Sequence, residues 1–194
     1  ERVGLPLPVT LTVVSDLLDA LDYAHRRTNQ QTGQPLGFVH GEVSPASVMV
    51  SYQGELKLTD VGLARSTLEL ERTLPGDSPG RLSYQSPEQV RGEDFDARAD
   101  VFAAAVLCFE LFSGERFYGS KPADEVWQRV STGGYLPSSF ARLPSGLRAV
   151  LEAALCADPA KRTQTADQLR RELLASQHEA RPAPGVLRSL MTAL

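Results

Sequence analysis

The chain has 194 residues, with 42% hydrophobic and 23% charged, the make-up of one globular domain with enough apolar material for a core. Its net charge of −4 excludes a general basic surface for nucleic acid or an anionic membrane. No apolar run approaches the ~20 residues of a membrane span. No basic-then-apolar leader follows Glu1, so a cytoplasmic protein is expected, and a start at Glu1 in place of Met suggests a fragment of a longer one.

Val13, Val14, Leu17, Leu18, Leu21 and Ala24 recur at three- and four-residue spacing and predict a helix from Val9 to Arg27, with Pro8 near its start. The polar run from Thr28 to Pro35 reads as a surface loop. A second polar loop, His40 to Ala46, leads into two short apolar runs, Ser47 to Val50 and Leu56 to Leu58. They flank a turn at Gln53-Gly54 and read as a hairpin, followed by Asp60-Val61-Gly62. A hairpin brings the loops at its two ends together, which places loop side chains on a rigid support.

Leu63 to Ser86 lacks sustained periodicity and contains Pro75, Gly76, Pro79 and Gly80, so it reads as irregular. Ala97 to Ser113 is apolar nearly all round, through Val101, Phe102, Ala105, Val106, Phe109, Leu111 and Phe112. It is therefore expected in the core, with Gly114 as its stop. Asp124 to Thr132 is the next predicted helix, with Trp127 expected in core or half-buried contact more than as a partner anchor. Ser145 to Ala157 is amphipathic through Leu147, Val150, Leu151, Ala154 and Leu155. Thr165 to Ala175 closes the domain with Thr165 as its cap.

Cys108 and Cys156 fall in apolar helical patterns and are expected as reduced core thiols. His25, His40 and His178 show no ligand spacing with Cys or carboxylates, so no metal site is expected. The chain divides into a domain over 1–177, a linker over 178–185 and a short amphipathic helix over 186–194. That helix carries Val186, Leu187, Leu190, Met191 and Leu194 on one side. It is too short to hold alone in water and must dock on its own domain, dock on another chain or fray.

The order of these marks resembles the large, C-terminal lobe of the eukaryotic-like Ser/Thr protein kinases of bacterial type. Where that family carries His-Arg-Asp, this chain has His40-Gly41-Glu42. The resemblance puts Glu42 in the place of the Asp that accepts the substrate hydroxyl proton, and Ser44 in the place of a lysine. Ser47 replaces the magnesium-binding Asn, and Asp60-Val61-Gly62 stands for Asp-Phe-Gly, whose Asp holds metal. Met49 corresponds to the floor beneath the adenine. Residues 63–86 correspond to the activation segment, with Thr67, Thr73, Ser78 and Ser83 as its hydroxyls and Ser86-Pro87-Glu88 for Ala-Pro-Glu. Gly41 replaces the arginine that reads a phosphate there, so a phosphorylation switch of the usual type is not expected. The resemblance also implies that Asp100 supports the backbone of His40 and Gly41, and that Arg162 forms a buried ion pair with Glu88.

The implied fold, over residues 9–177, is mainly α with a small β-hairpin: a kinase-like C-lobe lacking the N-lobe. The 194 residues contain no Gly-rich phosphate loop, no Val-Ala-Ile-Lys strand and no helix to pair with that lysine. Phosphoryl transfer depends on positioning and charge stabilisation, and a misplacement near 1 Å can cost about 10²-fold. A longer carboxylate at Glu42 and a lost carboxamide at Ser47 therefore read as a pseudokinase. In it, His40, Glu42, Ser44, Ser47, Asp60, Val61 and Gly62 are vestiges. No cofactor or metal is expected, and ATP with magnesium would bind weakly above Met49. The expected partner is a protein or a second copy, on the face a small lobe would cover or at helix 186–194; nucleic acid and membrane are not expected. A second reading is the C-lobe of a weakly active kinase whose N-lobe lies upstream of residue 1. A third is another chemistry on the same scaffold, such as nucleotide transfer.

Overall fold

A computed structural model describes residues 5–60, 79–177, 182–183 and 185–193. Helix α1 spans Leu7–His25, starting and ending two residues earlier than its apolar spacing predicts. Pro6 is its cap and Pro8 lies in the first turn, where a missing N–H costs nothing, so the prolines admit an earlier start. A bridge between Thr28 and Pro35 ties the following loop. The chain then makes one 3-10 turn at Pro45–Ser47 and enters strands β1 (Val48–Val50) and β2 (Leu56–Leu58). They pair antiparallel in the register Val48↔Leu58, Met49↔Lys57, Val50↔Leu56. Ser47, expected as the first strand residue, instead closes the 3-10 turn because its hydroxyl is bonded back to Ser44.

Val61, Gly62, Thr67, Thr73 and Ser78 lie outside the described residues. A short helix, α2 (Pro79–Leu82), interrupts the stretch read as irregular, and a second, α3 (Pro87–Val90), follows directly after that stretch. Then come α4 (Ala97–Ser113), α5 (Ala123–Thr132), α6 (Ser145–Ala154), α7 (Ala166–Ser176) and α8 (Val186–Ala193). The described chain is thus mostly helical with a two-stranded antiparallel sheet. None of its helices is long and apolar enough to cross a membrane.

Helix α4 is the axis of the domain. Every residue from Ala99 to Phe109 is buried, as a helix apolar on all sides requires. Asp96 caps its start by accepting from the Arg98 N–H, and Gly114 ends it at φ 70°, a left-handed conformation that glycine adopts without steric cost. α1 lies against α4 and α7, and α6 against the same pair. At the far end of α4, Phe109 meets Phe117 edge-on (centroids 5.2 Å apart) and stacks on Phe140 (5.7 Å), fixing the loops there.

Two expectations are corrected. α6 stops at Ala154, so Cys156 lies past the helix and only half-buried, whereas Cys108 is fully buried in α4. Trp127 is 40% exposed, because Val126 and Val130 alone supply the buried side of α5. The docking of the last helix on its own domain, one of the expected outcomes, is what the described residues show: α8 lies on α1 and buries Leu187 against Val9 and Val13, while His178, the rest of 178–181, residue 184 and Leu194 lie outside the described residues.

Candidate functional site

The site is built from the start of α4 outward. Asp100, in the first turn, is 1% exposed and is a hub for the loop that precedes the hairpin. Its Oδ2 accepts from the His40 N–H (2.8 Å) and its Oδ1 from the Gly41 N–H (2.7 Å). Gly41 stands at φ 75°, buried, so the loop turns sharply there at no cost to a side chain. The His40 ring is inside, its Nε2 2.9 Å from the Thr59 carbonyl and its Nδ1 3.2 Å from the Glu42 N–H. A carbonyl can only accept and an amide N–H can only donate. These partners therefore select the neutral ring with its proton on Nε2.

The Asp100 carboxylate has a third partner that sequence reasoning missed. His25 Nε2 lies 2.7 Å from Oδ2, with the His25 side chain 9% exposed. The available signal was spacing: His25 follows Leu21 by four residues and so continues the buried stripe of α1. Gln89 was missed as well. Its Nε2 donates to the Gly41 carbonyl (2.8 Å), while its Oε1 accepts from the Ser86 N–H (3.0 Å) and hydroxyl (3.1 Å). One amide thus ties α3 to the loop.

Behind α3, Glu88 and Arg162 meet. Nη1 and Nη2 of Arg162 reach Oε1 and Oε2 of Glu88 at 2.6 and 2.8 Å, a two-pronged pair. The guanidinium is otherwise satisfied by the carbonyls of Cys156 (2.9 Å), Arg98 (2.9 Å) and Ala157 (3.3 Å) and lies over the Phe102 ring. Burial alone would push the Glu88 carboxyl up, but the Arg162 bonds, backbone donors and Ser86 outweigh it and hold it below its ordinary range.

The remaining positions lie at the open end of the hairpin. Glu42 is half-buried, and its Oε1 accepts from Nη1 of Arg81 on α2 (3.1 Å). Ser44 is also half-buried. Ser47 is 3% exposed, and its Oγ donates to the Ser44 carbonyl (3.0 Å) and accepts from the Ser44 N–H (3.1 Å). Asp60 is exposed at φ 61°, the one non-glycine residue with positive φ among those described, and its Oδ2 accepts from the Thr59 hydroxyl (3.1 Å). Met49 is 57% exposed on β1. The structure thus gathers His40, Gly41, Asp100 and His25 into one network, with Glu88 and Arg162 in a second behind it. Among the described residues no direct hydrogen bond joins Glu42, Ser47 and Asp60, although Thr59 bridges the last two, its N–H donating to the Ser47 carbonyl (2.9 Å) and its hydroxyl to Asp60 Oδ2 (3.1 Å).

The chain belongs to the protein kinase family: the family's model, described as a protein kinase domain, matches residues 5–182. Among curated relatives, it is 36% identical over 169 residues to tyrosine-protein kinase MasK of Myxococcus xanthus, covering 86% of this chain and 26% of that protein. It is 32% identical over 182 residues to serine/threonine-protein kinase PknB of Mycolicibacterium smegmatis, covering 91% and 28%. It is also 33% identical over 170 residues to the probable serine/threonine-protein kinase SCO3848 of Streptomyces coelicolor, covering 86% and 24%. The chain spans about a quarter of the length of these curated relatives.

Membership raises the question of magnesium and nucleotide. A magnesium ion takes hard oxygen donors in near-octahedral array. Asp60 offers such a carboxylate, but the hydroxyl at Ser47 is buried and turned back on Ser44. Among the described residues, no three His, Cys, Asp or Glu side chains converge as a metal site. The residues at these positions do not fit the two-donor arrangement of the family.

Proposed function

We propose that this chain is a protein kinase large lobe that has given up phosphoryl transfer and serves as a rigid surface for protein contact. The observation that carries this reading is Ser47: the position that would hold metal has its hydroxyl closed in a short loop with Ser44. Glu42 adds to it, since the carboxylate in place of the base is engaged by Arg81. Transfer of a phosphoryl group asks the protein for charge stabilisation and placement above all, so these two departures remove the parts that matter. The rest of the lobe is held firmly from inside by Asp100 and by the Glu88–Arg162 pair. Exposed Leu36, Phe38 and Met49 supply apolar contact area around the loop and hairpin, suited to a protein partner or a second copy.

The deciding experiment is transfer of radiolabel from magnesium-ATP to acceptor proteins, with thermal melting at millimolar nucleotide alongside. The expected outcome is no transfer and no rise in Tm. Label that passes to any acceptor and disappears with Asp60→Ala would overturn the proposal.

Asp60 favours a second reading, a kinase of low activity whose nucleotide-binding lobe is supplied by sequence ahead of residue 1. Its left-handed backbone presents an open carboxylate, and strain of this kind concentrates at active sites. A Gly-rich loop and a strand lysine encoded upstream of Glu1 would favour that reading.

A further inference from the structure

Helix α8 sits in a groove lined by the rest of the domain. One wall is the first half of α1, through Val9 and Val13. The other is the hairpin, through Val50 and Leu56, and Leu111 near the end of α4 also contributes. Into it α8 inserts Leu187, 3% exposed, with Val186 and Leu190 packed beside it. Leu187 and Leu190 are three residues apart and so share a face of the helix.

Two polar features set the register. Arg188 Nε donates to the Gln53 carbonyl at the hairpin turn (3.1 Å). The next residue, Gly54, stands at φ 82°, and a Cβ there would come within 2.5 Å of the Arg188 backbone nitrogen. The turn is thus bare of side chain where the helix backbone crosses it. Ahead of the helix, the Ala183 N–H donates to the Thr12 hydroxyl (3.2 Å), which starts the segment along α1.

We propose that this groove is a helix-docking site and that α8 is its resident but exchangeable ligand. An amphipathic helix with two leucines three residues apart and a cation just after the first takes the same place when another polypeptide supplies it. Exchange follows from the physics of so short a segment. Eight residues have no helical stability of their own, so α8 folds when it docks and melts when it leaves. Leu187 is the one side chain it buries fully among the described residues, and a tether makes docking intramolecular, at an effective concentration of about millimolar. The groove is separate from Glu42, Ser47 and Asp60, so the inference does not depend on whether the lobe transfers phosphate.

A fluorescent peptide of residues 182–194 tests it against the full chain and against the full chain carrying Leu187→Asp. Anisotropy should show the peptide binding the variant about tenfold or more tightly than the unaltered chain, whose groove is filled in cis. The peptide with its own Leu187→Asp should bind neither. Should Leu187→Asp lose the native circular dichroism spectrum, Leu190→Asp, at a half-buried position, takes its place in the same assay. Equal binding to both chains, or no binding to either, overturns the proposal.

Discussion

Arg162 grips both carboxylate oxygens of Glu88 from 74 residues away, and the two side chains are 0% and 4% exposed. The pair is the tie between α3 and the turn before α7. Breaking it on one side leaves a charge stranded in the interior. Arg162→Leu is therefore expected to lower stability by about 3–5 kcal/mol, read by chemical denaturation. The double replacement Glu88→Gln with Arg162→Met should cost less than the sum of the single changes, since neither then abandons a buried ion.

The same pair sets an acid limit. The Glu88 carboxyl is held below its ordinary value of 4.5 in the folded protein and returns to it on unfolding. The unfolded chain thus takes up the proton first as pH falls. The stabilisation is fully present above the ordinary value and is lost as pH drops through the folded one. Asp96, held low by Arg98, adds to this in the same direction from a more exposed position. The Tm measured against pH should fall steadily below pH 4.5, and Glu88→Gln should flatten that limb.

Asp100 is expected to govern the loop more than any residue of the loop itself. Asp100→Ala would leave the His40 and Gly41 N–H groups buried without acceptors, at about 1–3 kcal/mol each. Asn retains one accepting oxygen and should cost less. Amide hydrogen exchange at His40 and Gly41 provides the readout: strong acceleration with Ala, partial with Asn, and little change at the far end of α4.

The two thiols should differ in reactivity. Burial pushes the Cys108 thiol up to about 12, so it carries almost no thiolate at neutral pH, while Cys156 is half-buried beyond α6. A thiol reagent should modify one residue in the native protein, Cys156 by mass mapping, and Cys108 only after denaturation.

What could be read from the sequence follows from which interactions are local. α4 was legible to the residue, because its apolar run and the Gly114 stop lie within it or at its end. The Asp100 and Arg162 contacts were legible only through the family resemblance, which supplies pairings that no periodicity encodes. Trp127 was misread because two valines on the same short helix suffice for its buried side, and nothing local says which apolar residue is left out. His25 and Gln89 escaped notice since their partners, Asp100 and Gly41, are 75 and 48 residues distant. The start of α1 was displaced by prolines that permit an early turn without demanding one.

Gly41 bends the loop through its backbone, with the amide held by Asp100 and the carbonyl by Gln89. Both anchors lie outside the loop, and neither touches a side chain that chemistry would require. Substitution at Glu42, whose carboxylate is bonded to the exposed Arg81, can therefore erase an activity without altering the silhouette. A polypeptide of this design can lose its reactivity in sequence drift yet continue to impersonate a working kinase to any molecule that recognises outline alone.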